Sequence, residues 1–347
     1  MTTPKFKIIG APVIQKWLDE NCTQVINTVE QAYRLFKKGD TVCPDSYFLR
    51  FPTTPENRII ALPASIESGK EISGIKWIAS YPNNVNKELD RASATITLNS
   101  RTTGYPIACM EGSLISAYRT AASAILGATH LHPTQGHINR LSIVGAGLIA
   151  KTIISLFESL EWTIKEVNII DLDPDRAAHF QTKFPHLNTL VSSDISTISS
   201  SDMIVFTTSA IEPYVQDVEL FDHNPTVLHM SLRDISTNII SASQNFVDNA
   251  DHAVKANTSL HLTEKLEGNR SFVTGDIVDL LDNTVKVNFS KPRIFAPFGM
   301  GILDISLGYE IYESCEDNDI IISYDFFPIP YTASEKSNPS LKQSVPV

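Results

Sequence analysis

Hydrophobic positions along this chain follow two periods, and the architecture changes where the period changes. Between residues 12 and 38, Val13, Trp17, Val25, Val29, Ala32, Leu35 and Phe36 recur roughly on one helical face. That pattern predicts a single amphipathic helix, ended by Gly39-Asp40. Short apolar runs follow at 46–51, 58–64, 74–80, 92–99 and 107–110, each closed by turn residues such as Pro82-Asn83-Asn84 and Thr103-Gly104. They predict a mostly antiparallel sheet. Residues 112–131 then read as a helix rich in small side chains, broken by His132-Pro133.

Beyond that break the pattern alternates. Strand-like runs at 141–144, 167–170, 189–191, 203–206, 227–230 and 253–255 are interleaved with helical stretches, one of them near 176–183. Such alternation predicts a doubly wound parallel sheet, and hence the α/β class. After Phe298-Gly299-Met300-Gly301 a last helix is expected over 302–313, returning to the first region. From about Pro330 the chain has little to bury, and 330–347 reads as a disordered tail.

Composition narrows the partners. A length of 347 residues suggests two domains, and a 42% hydrophobic fraction is ordinary for a globular protein. The net charge of −11 argues against nucleic acid and against an anionic membrane surface. Cys22, Cys43, Cys109 and Cys315 are scattered, with no C-x-x-C pair, and read as reduced thiols. No metal site is expected. There is no secretory leader pattern and no apolar run long enough to span a bilayer, so a cytoplasmic location is expected.

Residues 140–150 read R-L-S-I-V-G-A-G-L-I-A. A strand runs into Gly145-Ala146-Gly147, a helix starts at Leu148, and the next strand ends on Asp171. Strand, glycine turn, helix, strand and acid is the layout that seats a dinucleotide pyrophosphate on a helix N-terminus and its ribose on a carboxylate. The region is therefore expected to be a Rossmann-type sheet. A carboxylate at that position repels a 2′-phosphate, which favours NAD over NADP, although Arg176 could weaken the preference. Asp171 could instead cap the next helix, but Asp173 before Pro174 suits that task better.

Other residues leave two readings open. Thr207-Thr208-Ser209 follows a strand and either faces the cofactor or makes a plain turn. Arg233-Asp234, after His229-Met230-Ser231, is either a surface ion pair or part of the cofactor edge. Lys76 lies in G-I-K-W-I-A-S, with Ile75, Trp77 and Ala79 on one face and Lys76, Ile78 and Ser80 on the other. It is either a lysine on an exposed sheet face or a site residue. Arg119, on a polar stripe with Ser116, Thr120 and Ser123, makes a buried ion pair or an anion site, and the anion site is favoured.

Together these segments resemble the ornithine cyclodeaminase/μ-crystallin family. The resemblance is carried by G-I-K-W-I-A-S-Y-P-N-N (74–84), the 103–124 segment with R-T-A-A, I-V-G-A-G-L-I-A (143–150), I-I-D-L-D-P (169–174) and the Asp234 strand end. It runs from about residue 5 to 325. Within the family the chain looks most like the siderophore-pathway N-(1-amino-1-carboxyethyl)glutamate dehydrogenases, on S-Y-F-L-R-F-P (46–52), R-I-I-A-L-P-A (58–64) and L-D-R-A-S-A (89–94).

The resemblance implies a homodimer and a site in an interdomain cleft. Residues 1–131 plus 303–329 would form an α+β substrate-binding and dimerisation domain, and 132–302 the Rossmann domain. Lys76 and Arg119 would hold the substrate carboxylate and Asp234 would be the acid/base, with Lys76 beside it in the chemistry. Arg91 and Arg119 would lie near the cofactor, together with Gly145, Gly147, Leu148, Ile149, Asp171, Ser209, His229, Met230 and Ser231. Phe298 would pack by the nicotinamide.

Departures from the family pattern shift the expected substrate. The family's basic residue in P-x-R is here Ser46, with Arg50 on the same strand face to replace it. The small pair before the acid is Leu232-Arg233, and the usual Gln of G-A-G-x-Q-A is Ile149. Arg50 and Arg233 suit an acidic substrate. The expected reaction is NAD-dependent oxidation of the glutamate Cα–N bond, hydrolysis to 2,3-diaminopropionate and 2-oxoglutarate, and release of NADH. The alternatives are ornithine cyclodeamination or a related imino-acid reduction, and a μ-crystallin-like binding protein without turnover.

Overall fold

A computed structural model of the chain describes residues 6–315. The first region runs β1 (Lys7–Ile9), α1 (Ala11–Glu20), α2 (Cys22–Lys38), β2 (Thr41–Val42), β3 (Tyr47–Arg50), β4 (Arg58–Ile66), β5 (Ile72–Ser80), β6 (Ala92–Ser100), β7 (Pro106–Glu111) and α3 (Ser113–Leu131). Its strands form one sheet in the order β1-β7-β6-β5-β4-β2, with β3 also paired to β4. Every pair is antiparallel except β1 with β7. The five predicted runs are β3 to β7, with ends moved by a residue or two.

The helix predicted over 12–38 is two helices. Asn21 leaves the helical region at φ −128° and ψ 36°, and its side-chain amide donates to the Trp17 carbonyl at 2.8 Å. An asparagine that takes a backbone carbonyl for itself ends the helix locally. The apolar face survives the break: α1 buries Ile14 and Leu18, and α2 buries Val25, Val29 and Ala32.

The second region runs β8 (His137–Val144), α4 (Leu148–Ser159), β9 (Thr163–Ile170), α5 (Pro174–Lys183), β10 (Thr189–Ser192), β11 (Met203–Phe206), β12 (Thr226–His229), α6 (Thr237–Ala242), β13 (Gln244–Val247), α7 (Ala250–Ala253), α8 (Ser259–Glu267), β14 (Val273–Asp276), α9 (Ile277–Leu281) and β15 (Arg293–Phe295). The sheet is eight-stranded and wholly parallel, in the order β10-β9-β8-β11-β12-β15-β13-β14. The doubly wound expectation holds. The strand expected at 253–255 does not: Asn249 caps α7 by accepting from His252 N–H, and residues 250–253 are helical. The strands β13 (Gln-Asn-Phe-Val), β14 (Val-Thr-Gly-Asp) and β15 (Arg-Ile-Phe) lack the continuous apolar run that marks β11, and the sequence pattern does not reveal them.

The last helix, α10 (Gly301–Ser314), is buried along Ile302, Leu303, Ile305 and Leu307 and packs on α2, α3 and the β4–β6 sheet. It thus crosses back to the first region. The expected tail at 330–347 lies outside the described residues.

Candidate active site

The carboxyl ends of four parallel strands align. Val144 is in register with Ile170 and with Phe206, and Phe206 with His229. The strand order reverses between β8 and β11, and a doubly wound sheet opens a crevice at such a point. Gly145 sits there at φ +93°, and a Cβ on it would lie 2.9 Å from the Thr207 carbonyl oxygen. Only glycine suits both the left-handed backbone and that contact. Gly147 caps α4 without a side-chain acceptor, and a Cβ there would meet open space. The first-turn amides of α4, from Leu148 and Ile149, therefore open onto room for an anion.

Asp171 lies just past β9, and its carboxylate accepts from Ala146 N–H at 2.8 Å and from Asp173 N–H at 2.9 Å. Asp173 is the N-cap of α5, accepting from Asp175 and Arg176 N–H, so capping falls to Asp173 and not to Asp171. The Arg176 guanidinium is turned back to Asp173 at 3.7 Å. Thr207 Oγ1 donates to the Gly145 carbonyl at 2.6 Å, Met230 N–H and Ser231 N–H reach the Phe206 carbonyl, and Ser209 is exposed. The glycine turn, the unpartnered helix start and the carboxylate fit a dinucleotide with free ribose hydroxyls. Among the described residues no group of His, Cys, Asp and Glu is arranged to hold a metal ion.

The substrate side is built on the β3–β5 sheet, where the usual exposure is inverted. Lys76 is 1% exposed while its neighbour Trp77 is 43% exposed. Register explains this: Lys76 shares its face with Leu62 and Ile96, so it points toward α3 and α10. Lys76 Nζ lies 2.7 Å from Asp304 Oδ2 and donates to Ser116 Oγ at 3.0 Å. A lysine ammonium has three donors, so one position remains for the cleft. Burial first, and then the neighbouring Arg119, bring the Lys76 pKa down from an ordinary 10.5 to about 8, against the opposing pull of Asp304.

Of its two anticipated contacts, Arg119 makes the buried ion pair. Its Nε donates to Asp304 Oδ1 at 3.2 Å, and its fork fills the space that Gly299 leaves. Gly299 has φ +89°, and a Cβ there would stand 2.6 Å from Arg119 Nη1. Asp248, fully packed, holds the Phe298-Gly299 turn by accepting both N–H groups at 2.9 and 2.6 Å. Glu111 accepts from Ser113 and Leu114 N–H at the start of α3, replacing a side-chain N-cap, and so sets the helix that carries Ser116 and Arg119. Asp304, Asp248 and Glu111 were not singled out in the sequence. Glu111 and Asp304 are acids inside largely apolar stretches, which is the one available signal, and Asp248, in V-D-N-A-D-H, carries none.

Asp234 is enclosed rather than open to the cleft. The side chain is 0% exposed and lines neither cavity of the cleft. Its carboxylate accepts from Thr208 Oγ1 and Ser231 Oγ and lies 3.1 Å from His229 Nε2. Burial pushes its pKa up, but the hydrogen bond and charge of His229, with both hydroxyls, outweigh it and leave the group below its ordinary range. It ties the ends of β11 and β12 together. The surface-pair reading fails: Arg233 turns away from Asp234 and forks onto the Ala256 carbonyl at 2.8 and 3.2 Å.

Two adjoining cavities of about 250 and 200 Å³ lie between the two sheets, sharing Ser46, Phe48, Arg50, Ala256, Phe298 and Gly299. The smaller also reaches Arg58, Lys76, Ser116, Arg119, Leu232 and Arg233. Arg50, Lys76, Arg119, Arg233 and Phe298 thus meet in one cleft. Arg91 lines neither cavity and donates to Ser80 Oγ at 2.8 Å.

Residues 16–222 match the model of the ornithine cyclodeaminase/mu-crystallin family. The chain belongs to that family. One family relative, N-((2S)-2-amino-2-carboxyethyl)-L-glutamate dehydrogenase of Staphylococcus aureus (strain NCTC 8325 / PS 47), is 31% identical over 324 residues, covering 86% of this chain and 93% of the relative. The fold is shared with the Thermococcus litoralis Delta(1)-pyrroline-2-carboxylate reductase solved with NADH and L-proline, at a TM-score of 0.80 and 21% identity over 89% of this chain and 97% of that one. It is shared also with an archaeal alanine dehydrogenase dimer with bound NAD, at a TM-score of 0.77 and 20% identity over 89% and 95%.

Ile149 apart, the positions expected to depart from the family pattern cluster in space. Ser46, Arg50, Leu232 and Arg233 all line the smaller cavity. Leu232 is buried at φ +70°, a left-handed conformation that costs a branched residue roughly 1–3 kcal/mol. That backbone turns Arg233 into the cleft.

Proposed function

We propose that this protein is an oxidoreductase using NAD, which oxidatively cleaves N-(2-amino-2-carboxyethyl)glutamate to 2,3-diaminopropionate and 2-oxoglutarate, releasing NADH. The product would serve siderophore assembly. The observation that carries the reading is Lys76, a buried lysine with a pKa drawn to about 8, in a cavity whose other charged lining groups are all guanidiniums. The 31% identical relative supports the substrate. Its name joins the ethyl unit to nitrogen through the carbon that lacks the amino group, and cleavage of that compound yields 2,3-diaminopropionate.

NAD, when bound on the β8–α4 turn, supplies the hydride acceptor. Arg119 pairs with the carboxylate on the reacting carbon, and Asp304 keeps the guanidinium oriented. Lys76 takes the proton from the substrate's secondary ammonium, which frees the nitrogen lone pair to form the C=N bond as hydride leaves Cα. Its pKa lies close to that of such an amine, so the transfer is nearly balanced. Water adds to the C=N carbon, Lys76 relays the proton from oxygen to nitrogen, and the C–N bond breaks. Substrate, NAD⁺ and water give diaminopropionate, 2-oxoglutarate, NADH and one proton. Asp234 keeps Ser231 and Thr208 aligned at the cofactor edge.

A homodimer is part of the same reading. Tyr47, Ala61 and Trp77 form a row across β3–β5 on the face away from the cleft, with Tyr47 78% and Leu49 46% exposed. An apolar sheet face of that kind is suited to a second copy.

The test is to follow NADH absorbance with NAD and candidate substrates. Net NADH with equimolar 2-oxoglutarate from the tricarboxylate supports the proposal. Proline and ammonia from ornithine without net NADH would replace it with cyclodeamination. Cofactor binding without any turnover would leave a binding protein.

A further inference from the structure

The charge in the cleft is distributed unevenly. At its inner end Lys76 and Arg119 share one carboxylate, Asp304, which leaves a single surplus positive charge. At its outer end Arg50, Arg58 and Arg233 have no carboxylate partner among the described residues: Arg50 lies over the Phe48 ring at 5.1 Å, and Arg233 binds only a carbonyl. Arg58 Nε is buried without any hydrogen-bond partner. In a chain of net charge −11 this is a local reversal of sign.

The sheet register makes the arrangement costly. Arg50 and Arg58 are directly opposite on the antiparallel β3–β4 pair, and like charges placed opposite each other destabilise a sheet. Burial and the facing Arg50 hold the Arg58 guanidinium below its ordinary value. Such a breach of a local rule is expected where a ligand supplies the missing charge.

We propose that Arg58 is a specificity-determining residue which, with Arg50 and Arg233, forms a second anion subsite for the two carboxylates remote from the reacting carbon. The assignment rests on the reaction proposed above. The outer end thus holds three guanidinium groups to share between the two carboxylates farther from the reacting carbon, while Arg119 faces the one beside it. A forked guanidinium holds a carboxylate through two charge-assisted hydrogen bonds, which an ammonium cannot reproduce.

Tricarballylate, a tricarboxylate that cannot react, is the probe. Titrated calorimetrically into the NAD-loaded protein, it should bind at least tenfold more weakly to Arg58→Met than to wild type. NAD affinity should be unchanged, and the melting temperature should be no lower, because a like-charge pair is removed from the sheet. Arg58→Lys should recover only part of the loss, and added salt should weaken binding less steeply in Arg58→Met. Equal affinity in wild type and Arg58→Met, no binding to wild type, or an equal loss of NAD affinity overturns the subsite. Should tricarballylate bind through Arg58 while the proposed substrate yields no NADH, the reaction is wrong and the anion subsite stands.

Discussion

Lys76 Nζ lies 2.7 Å from Asp304 Oδ2, joining the middle of β5 to the first turn of α10 in a site where both side chains are essentially inaccessible. An ion pair so placed gains less from Coulomb attraction than it loses in hydration unless further hydrogen bonds complete it. Ser116 and Arg119 supply them here. The result is a lysine held near its own titration point, and the α10 helix is fastened to the first sheet by the same contact.

Turnover should therefore follow the ionisation of Lys76. Its folded pKa is about 8 against an ordinary 10.5, so the neutral, proton-accepting form grows as pH rises through 8. The rate should climb about tenfold per pH unit below that value and level off above it. Between about pH 8 and 10.5 the unfolded chain holds the extra proton, so this group's contribution to stability rises with pH across that window. Asp304→Asn should move the limb to lower pH and cost about 3–5 kcal/mol. A pH–rate profile unchanged in Asp304→Asn would remove Lys76 from proton transfer.

Asp234→Asn should act on structure before chemistry. Thr208, Ser231 and His229 all point at the carboxylate, and an amide turns one acceptor into a donor facing them. A loss of about 2 kcal/mol or more is expected, with weaker NAD binding, read by thermal melting and cofactor titration. Native melting and native NAD affinity with turnover abolished would restore Asp234 as the acid/base.

Gly299→Ala should disturb Arg119 without touching its charge. The added methyl would stand 2.6 Å from Nη1, on a backbone at φ +89°. We expect KM to rise about tenfold, for ~1.4 kcal/mol of lost binding, and stability to fall by about 1–2 kcal/mol from the left-handed backbone alone. A native KM would show that Arg119 does not depend on this space.

Cofactor choice should depend on Asp171. Asp171→Ala removes the carboxylate facing the expected ribose and also the acceptor for Ala146 N–H, so NAD should weaken and the gap to NADP should narrow. Fluorescence titration with both cofactors measures this. A wild-type preference for NADP would contradict the role given to Asp171.

What the sequence determined by itself is local. The strand–glycine–helix–strand–acid layout around Gly145 and Asp171 could be read because each feature constrains its own backbone within a turn or two. Lys76 and Arg119 could be picked out because each is a cation in an otherwise apolar or small-residue element. Tertiary structure decided the rest. Asn21 was compatible with continuing the helix until its amide took the Trp17 carbonyl. Strands β13 to β15 have no continuous apolar run of their own and become strands by pairing with distant partners. Whether Lys76 was exposed or buried depended on sheet register and on α10. Asp234, which reads as a reagent at a strand end, is enclosed by hydroxyls from two loops. A pKa, an ion pair or an unpaired guanidinium is set by what lies within a few ångströms, and in this fold those neighbours come from distant parts of the chain.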